Sequence, residues 1–324
     1  MRALALLLTA ASAFAAVDGT VLNRSTGKPQ AGAVVTLFKL TQAGPQLVQA
    51  TKTDAQGKFA IAQETGQTPL LVEAGFDGVS YNHMIPPGAP ATNITVDVYG
   101  TTKDSSAAPV TQHIVILEPA GPQLSVTETF FLKNDGNLTY NDPAAGTLRF
   151  FIPPAAKDTV RVMATSPGGM AVQRDAEAAK GAGAHKLDFP IKPGGETRID
   201  ITYSVPDAAA FASKVFYKGA PTRLVVPAGV TLEGSELKSL GQEPQTQAAI
   251  YETTAAAYAV KIAGTGSLRG AGSESGEEAG DAGPSIRTIA PPGFEDRKFQ
   301  ILALTLAILA LGFVLLYRRG AAAR

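Results

Sequence analysis

Between residues 16 and 263 the apolar residues recur at every second position in short runs, and each run stops at Gly, Pro, Asn or Asp. The clearest run is Thr197-Arg198-Ile199-Asp200-Ile201-Thr202-Tyr203-Ser204-Val205, which sets Ile199, Ile201, Tyr203 and Val205 on one face and ends at Pro206. Successive side chains leave opposite faces of a pleated backbone, so this period is that of a half-buried strand. Helical repeats are scarce, and the 33 Gly and 22 Pro supply turns rather than long surface helices. The expected fold is therefore all-β, built of tandem antiparallel β-sandwiches.

The runs fall into groups. Val21, Val34-Val35-Thr36-Leu37-Phe38, Phe59-Ala60-Ile61, Leu70-Leu71-Val72 and Ile94-Thr95-Val96-Asp97-Val98-Tyr99 fill residues 16–103, and a polar break follows at 101–109. A second group fills 110–206 in the pattern of an Ig-like sandwich, with Asn134-Asp135-Gly136-Asn137 as a tight hairpin signal. Residues 207–263 continue in the same style with Lys214-Val215-Phe216-Tyr217 and Tyr258-Ala259-Val260-Lys261-Ile262. A segment this short is small for an independent core, so it is either a separate small β region or part of the second sandwich.

Both ends are apolar. Residues 1–15 combine Arg2, a Leu- and Ala-rich run and an Ala-x-Ala site, the pattern of a cleaved secretory signal peptide. Residues 299–317, FQILALTLAILALGFVLLY, carry no charge and at ~1.5 Å per residue reach roughly 28 Å, enough for a transmembrane helix. Ala290-Pro291-Pro292-Gly293 is not a transpeptidase sorting motif, so a permanent anchor is expected. The Gly-, Ala-, Ser- and Glu-rich residues 264–298 read as a flexible stalk, and 318–324 as a short cytoplasmic tail. This arrangement predicts a single-pass protein of the cytoplasmic (inner) membrane. Its N-terminal domains would be periplasmic or extracellular, and the Ala-rich, Cys-free chain has a bacterial look.

Composition narrows the chemistry. With no Cys there can be no disulfide, thiolate metal site, thiol catalysis or lipidated Cys. Balanced charges, 28 basic against 28 acidic, lack the footprint of a nucleic-acid binder. Three His show no HExxH or other paired spacing, and there is no GxSxG elbow or phosphate loop. No catalytic residue, metal or cofactor site is therefore expected. Asn134, Asp135, Asn137 and Asp142 offer oxygens suited to calcium, but their spacing fits a turn better than a calcium loop. His113 and His185 begin strand runs and read as solvated strand ends. His83, in Tyr81-Asn82-His83-Met84-Ile85-Pro86-Pro87, reads as a loop residue beside an aromatic, which makes Tyr81 and His83 the candidate ligand contacts.

One stretch has a recognisable pattern: Gly19-Thr20-Val21, Thr26-Gly27-Lys28-Pro29, Gly32-Ala33-Val34-Val35-Thr36-Leu37 and Thr53-Asp54-Ala55-Gln56-Gly57-Lys58-Phe59. It resembles the carboxypeptidase regulatory-like family over about residues 17–100. The resemblance implies a transthyretin-like sandwich, grouped with carbohydrate-binding-like folds, and carries over no catalytic residue. Read together, the expectation is a non-enzymatic, membrane-anchored protein that contacts other envelope proteins. One alternative is a glycan-binding module, with Tyr81, Tyr99 and Tyr140 standing in for the absent Trp. Another is an accessory subunit of an envelope enzyme or transport complex.

Overall fold

The computed structural model describes residues 16–63 and 66–268. The expected signal peptide (1–15), membrane span (299–317), tail (318–324) and most of the stalk lie outside the described residues. Within them the chain is all-β. Among the described residues there is no α-helix, and no helix is long and apolar enough to cross a membrane.

The first eight strands are β1 (Ala16–Asn23), β2 (Lys28–Pro29), β3 (Val34–Thr41), β4 (Gly44–Lys52), β5 (Lys58–Ala62), β6 (Leu70–Phe76), β7 (Val79–Ile85) and β8 (Ile94–Val98). One four-stranded sheet joins β2, β1 and β5, with β8 also on β1; the other runs β4-β3-β6-β7. Alternation makes the core: Val17 and Val21, Val35 and Leu37, Phe59 and Ile61, Leu70 and Val72, and Val96 and Val98 are all buried in one cluster. The Asp54 carboxylate holds the turn into β5 by accepting from the amides of Gln56 at 2.9 Å and Lys58 at 2.8 Å. Gly19 is demanded by packing, because β8 runs parallel to β1 and a Cβ at Gly19 would lie 2.1 Å from the Ile94 carbonyl oxygen.

The remaining strands are β9 (Thr101–Thr102), β10 (Val110–Ala120), β11 (Gln123–Asn134), β12 (Thr139–Tyr140), β13 (Leu148–Phe151), β14 (Arg161–Thr165), β15 (Val172–Arg174), β16 (Glu177–Ala178), β17 (Ala184–Leu187) and β18 (Gly195–Val205). After residue 206 come β19 (Ala210–Lys214), β20 (Thr222–Val226), β21 (Val230–Glu233), β22 (Lys238–Gln242), β23 (Ala249–Thr253) and β24 (Ala257–Gly264). An eight-stranded sheet runs β15-β14-β18-β11-β10-β20-β23-β22, so strands from both sides of residue 206 share it. Smaller sheets, β13-β17-β16 and β19-β24-β21, contribute to the same core. Leu224, Val226, Tyr258 and Val260 are buried in one cluster with Val115, Phe130 and Ile201.

Two local expectations change. The sheets are not purely antiparallel: β1–β8, β10–β20 and β9–β12 pair in parallel, because each brings together segments joined by a long connection rather than a hairpin. Asp135-Gly136 is not a hairpin turn, since the neighbours of β11 are β10 and β18. The bend is instead held by buried Asn134, whose amide nitrogen donates to the carbonyls of Leu138 and Ile191, each at 2.9 Å.

Close approach at Gly19 gives a direct test. Gly19→Ala should cost about 3 kcal/mol in chemical denaturation of the first sandwich, as expected for overpacking against backbone. Gly27→Ala, which meets open space and must only tolerate a φ of 71°, should cost about 1 kcal/mol. Equal losses at the two positions would show that β8 does not press on β1.

Candidate functional site

The two sandwiches meet along a polar seam. Tyr81 Oη donates to the Tyr99 carbonyl at 2.9 Å and lies 2.8 Å from Thr139 Oγ1. The Thr101 amide and hydroxyl donate to Asp77 at 2.9 and 2.7 Å. Ser25 Oγ accepts from the Gly100 amide at 2.9 Å and donates to the Asn137 carbonyl. Lys192 Nζ reaches across to the Ser80 carbonyl at 2.5 Å.

Beside this seam opens a cleft of 740 Å³. The first sandwich lines it with Glu73, Thr95 and the run from Gly78 to Met84; the second supplies Pro167, Met170, Val172, Arg174, Asp188, Phe189 and Lys192. Both sequence candidates lie here, though not as expected. His83 is in strand β7, opposite Val72, rather than in a loop. Tyr81 is only 4% exposed; its hydroxyl belongs to the seam, and its ring packs against Lys192 Nζ at 5.1 Å and the Tyr99 ring at 5.9 Å. Tyr140 is buried as well. Burial pushes the Tyr81 phenol up, while its hydrogen bonds to Thr139 and the Tyr99 backbone pull the other way. Burial also holds the Lys192 ammonium below the usual lysine range; Glu73 opposes that shift and Arg174 adds to it. Lys192 and Arg174, which sequence reasoning did not single out, are therefore the cations of the cleft.

A second cluster of titratable groups sits inside the larger core. His113 is 2% exposed, not a solvated strand end, because it falls in phase with Val115 and Leu117 on the inward face of β10. Its Nε2 lies 3.0 Å from Glu128 Oε2 and its Nδ1 lies 3.2 Å from Thr222 Oγ1. Its ring stacks on Phe130 with centroids 3.9 Å apart. The other Glu128 oxygen accepts from the Tyr203 hydroxyl, and Tyr217 Oη lies 3.2 Å from Thr222 Oγ1. Tyr258 Oη is buried with no hydrogen bond of normal geometry, although Ser213, its register partner on β19, favours its ionised form. His113, Glu128, Tyr203, Tyr217 and Thr222 satisfy one another in a dry interior and offer no nucleophile–base pair to a substrate. Among the described residues no three or more His, Asp and Glu side chains are placed to hold a metal ion.

No family model matches this sequence, and no curated protein does. Among solved structures the chain is similar to an M1 zinc metallopeptidase from Deinococcus radiodurans, at 14% identity over 48% of this chain and 42% of that one, with a TM-score of 0.28. A mutant of that peptidase bound to a Tyr-Ser-Ala substrate gives the same identity and coverage with a TM-score of 0.26. The chain thus spans less than half the length of the peptidase chains it matches. A likeness of this size says nothing about activity.

Two outcomes follow from the buried cluster. Tyr203, Tyr217 and Tyr258 are each held above the ordinary tyrosine value of 10.0, chiefly by burial and further by the Glu128 carboxylate. The folded state favours the neutral phenol, so this contribution is complete below that value and is lost as pH rises past it, where the unfolded chain ionises first. The part of the tyrosinate absorbance that Tyr203→Phe, Tyr217→Phe and Tyr258→Phe remove should therefore appear only together with loss of β-sheet circular dichroism; its appearance in a still-folded protein would contradict the burial. Glu128→Leu, which strands His113 in the core, should cost about 3–5 kcal/mol. Adding His113→Leu should then cost less than the sum of the two single losses, as read from urea unfolding.

Proposed function

We propose that this is a non-enzymatic, single-pass membrane protein whose sandwiches stand outside the cytoplasm and act by contacting other envelope proteins. The observation that carries the reading is the make-up of the cleft: main chain, exposed thioethers, two cations and the carboxylates of Glu73, Asp97 and Asp188 line it, and the buried His113, Glu128 and Tyr203 are engaged with one another elsewhere. On this reading the first sandwich is a transthyretin-like, carboxypeptidase regulatory-like module and the second is Ig-like. Residues 299–317 hold the chain in the inner membrane and residues 1–15 direct its export. The same features suit an accessory subunit of an envelope enzyme or transport complex. Glycan binding has less support, since the rings of Tyr81 and Tyr140 are buried and not free to stack on a sugar.

Because the chain has no Cys, single thiols report its topology cleanly. Leu240→Cys, at a side chain 45% exposed, should react with a membrane-impermeant maleimide on intact spheroplasts, and Ala322→Cys only after permeabilisation. The reverse pattern would sink the reading. A photo-crosslinking residue at Met170 should also give discrete adducts with envelope proteins in whole cells, and one at Leu240 should not.

A further inference from the structure

Two sheet edges face the same cleft. β7 ends the sheet β4-β3-β6-β7, β15 ends the eight-stranded sheet, and residues of both line the space between the sandwiches. Along an antiparallel edge strand, alternate residues turn both main-chain groups away from the partner. Ser80 is one of these, because its carbonyl accepts from Lys192 rather than from β6. Asn82 and Met84, in phase with it, present theirs outward too.

Bare edges are usually blunted. At the opposite edge of the same sheet, β4 carries Pro45 and a bulge against β3; at the opposite edge of the long sheet, β22 is bulged against β23. β7 has neither device: its seven residues contain no Pro and pair with β6 in unbroken register. It is kept straight and open where the cleft is. The surroundings are apolar as well. Of the eight large apolar side chains exposed among the described residues, Met84, Met170 and Val172 line this cleft, at 44%, 68% and 40% exposure.

The charges select the occupant. Neither Lys192 nor Arg174 has a carboxylate oxygen within 4.0 Å among the described residues; Lys192 holds a backbone carbonyl and lies over the Tyr81 ring at 5.1 Å, and Arg174 lies over the Phe189 ring at 5.5 Å. Glu73, Asp97 and Asp188 line the cleft without reaching either cation at that distance, and Asp97 is already paired with Arg24 at 2.9 Å. A partly desolvated ammonium beside unpaired edge groups is complemented by an incoming carboxylate. We infer that the cleft is a strand-addition site for an extended polypeptide segment of another protein, in which apolar side chains alternate with acidic ones. Residues 269–285 of this chain are acidic, but they hold only Gly, Ala, Ser, Pro and charged residues and so cannot cover Met84, Met170 and Val172. The inference rests on the interaction reading above and names the class of partner.

The test uses the detergent-solubilised full chain and a short capped peptide alternating Val with Glu, followed by fluorescence anisotropy. Saturable binding is expected, and replacing Glu by Lys, or methylating alternate backbone nitrogens, should weaken it at least about tenfold. Lys192→Gln should weaken the acidic peptide by about tenfold. Asn82→Pro, which blocks the open edge without taking a donor from the β6 ladder, should abolish binding. Failure to bind, or binding indifferent to N-methylation, overturns the proposal, and the methylated peptide decides even where a variant does not fold. Unchanged affinity in Lys192→Gln protein with an unaltered melting curve also overturns it. A large gain in affinity on deleting 269–285 would assign the cleft to this chain's own segment. Self-association displaced by the peptide would assign it to a second copy. Either result removes the partner in trans. None of these failures would alter the thiol-labelling pattern that tests membrane placement.

Discussion

A carboxylate in a dry core must have both oxygens answered, and Glu128 does: one by His113, the other by Tyr203. The residues of this row come from adjacent strands, Tyr203 on β18, Glu128 on β11, His113 on β10 and Thr222 on β20, in the order in which those strands lie in the long sheet. Apolar alternation alone cannot set such a sheet, because a slip of two residues returns every side chain to its own face. The polar row removes that freedom, since a two-residue slip would leave an uncompensated carboxylate and imidazole in the interior. The row also reaches across the chain: β20 follows residue 206, and it lies beside β10 with Thr222 in register with His113.

Much of the architecture was legible in the residues. The alternation at Ile199, Ile201, Tyr203 and Val205 marks both the strand and its buried face, and Asp54 to Gly57 marks the turn into β5. Pairing partners were not legible, because a period of two says that a strand exists and not which strand lies beside it. The parallel β1–β8 and β10–β20 pairs come from distant segments and leave no local trace. His83 was misread because Pro86-Pro87 stops the strand just after Ile85, and the approach to that stop looks like loop.

The buried row and the cleft differ in how they could have been found. Glu128 lies in phase with Val126 and Phe130, and His113 with Val115 and Leu117, so the alternation itself marks two ionisable residues on inward faces. The cleft has no such signature. Lys192 follows a one-residue bridge at Ile191, and Arg174 ends a three-residue strand. Their approach to β7 is set by the polar seam between the sandwiches, which no spacing encodes.

The parallel contact of β10 with β20 also bears on the order of events during synthesis. The first sandwich has all its strands once Val98 has emerged, but the larger core draws on residues from Ala108 to Ile262. Its sheet cannot close until nearly all of that segment is available, and contacts this distant in sequence make for slow closure. Long β11, whose inward face carries Glu128, must meanwhile wait beside β10 and β18 without the β20 side of the sheet. The core that draws on residues Ala108 to Ile262 is therefore completed last, and the period of greatest exposure to aggregation or proteolysis falls late in its production.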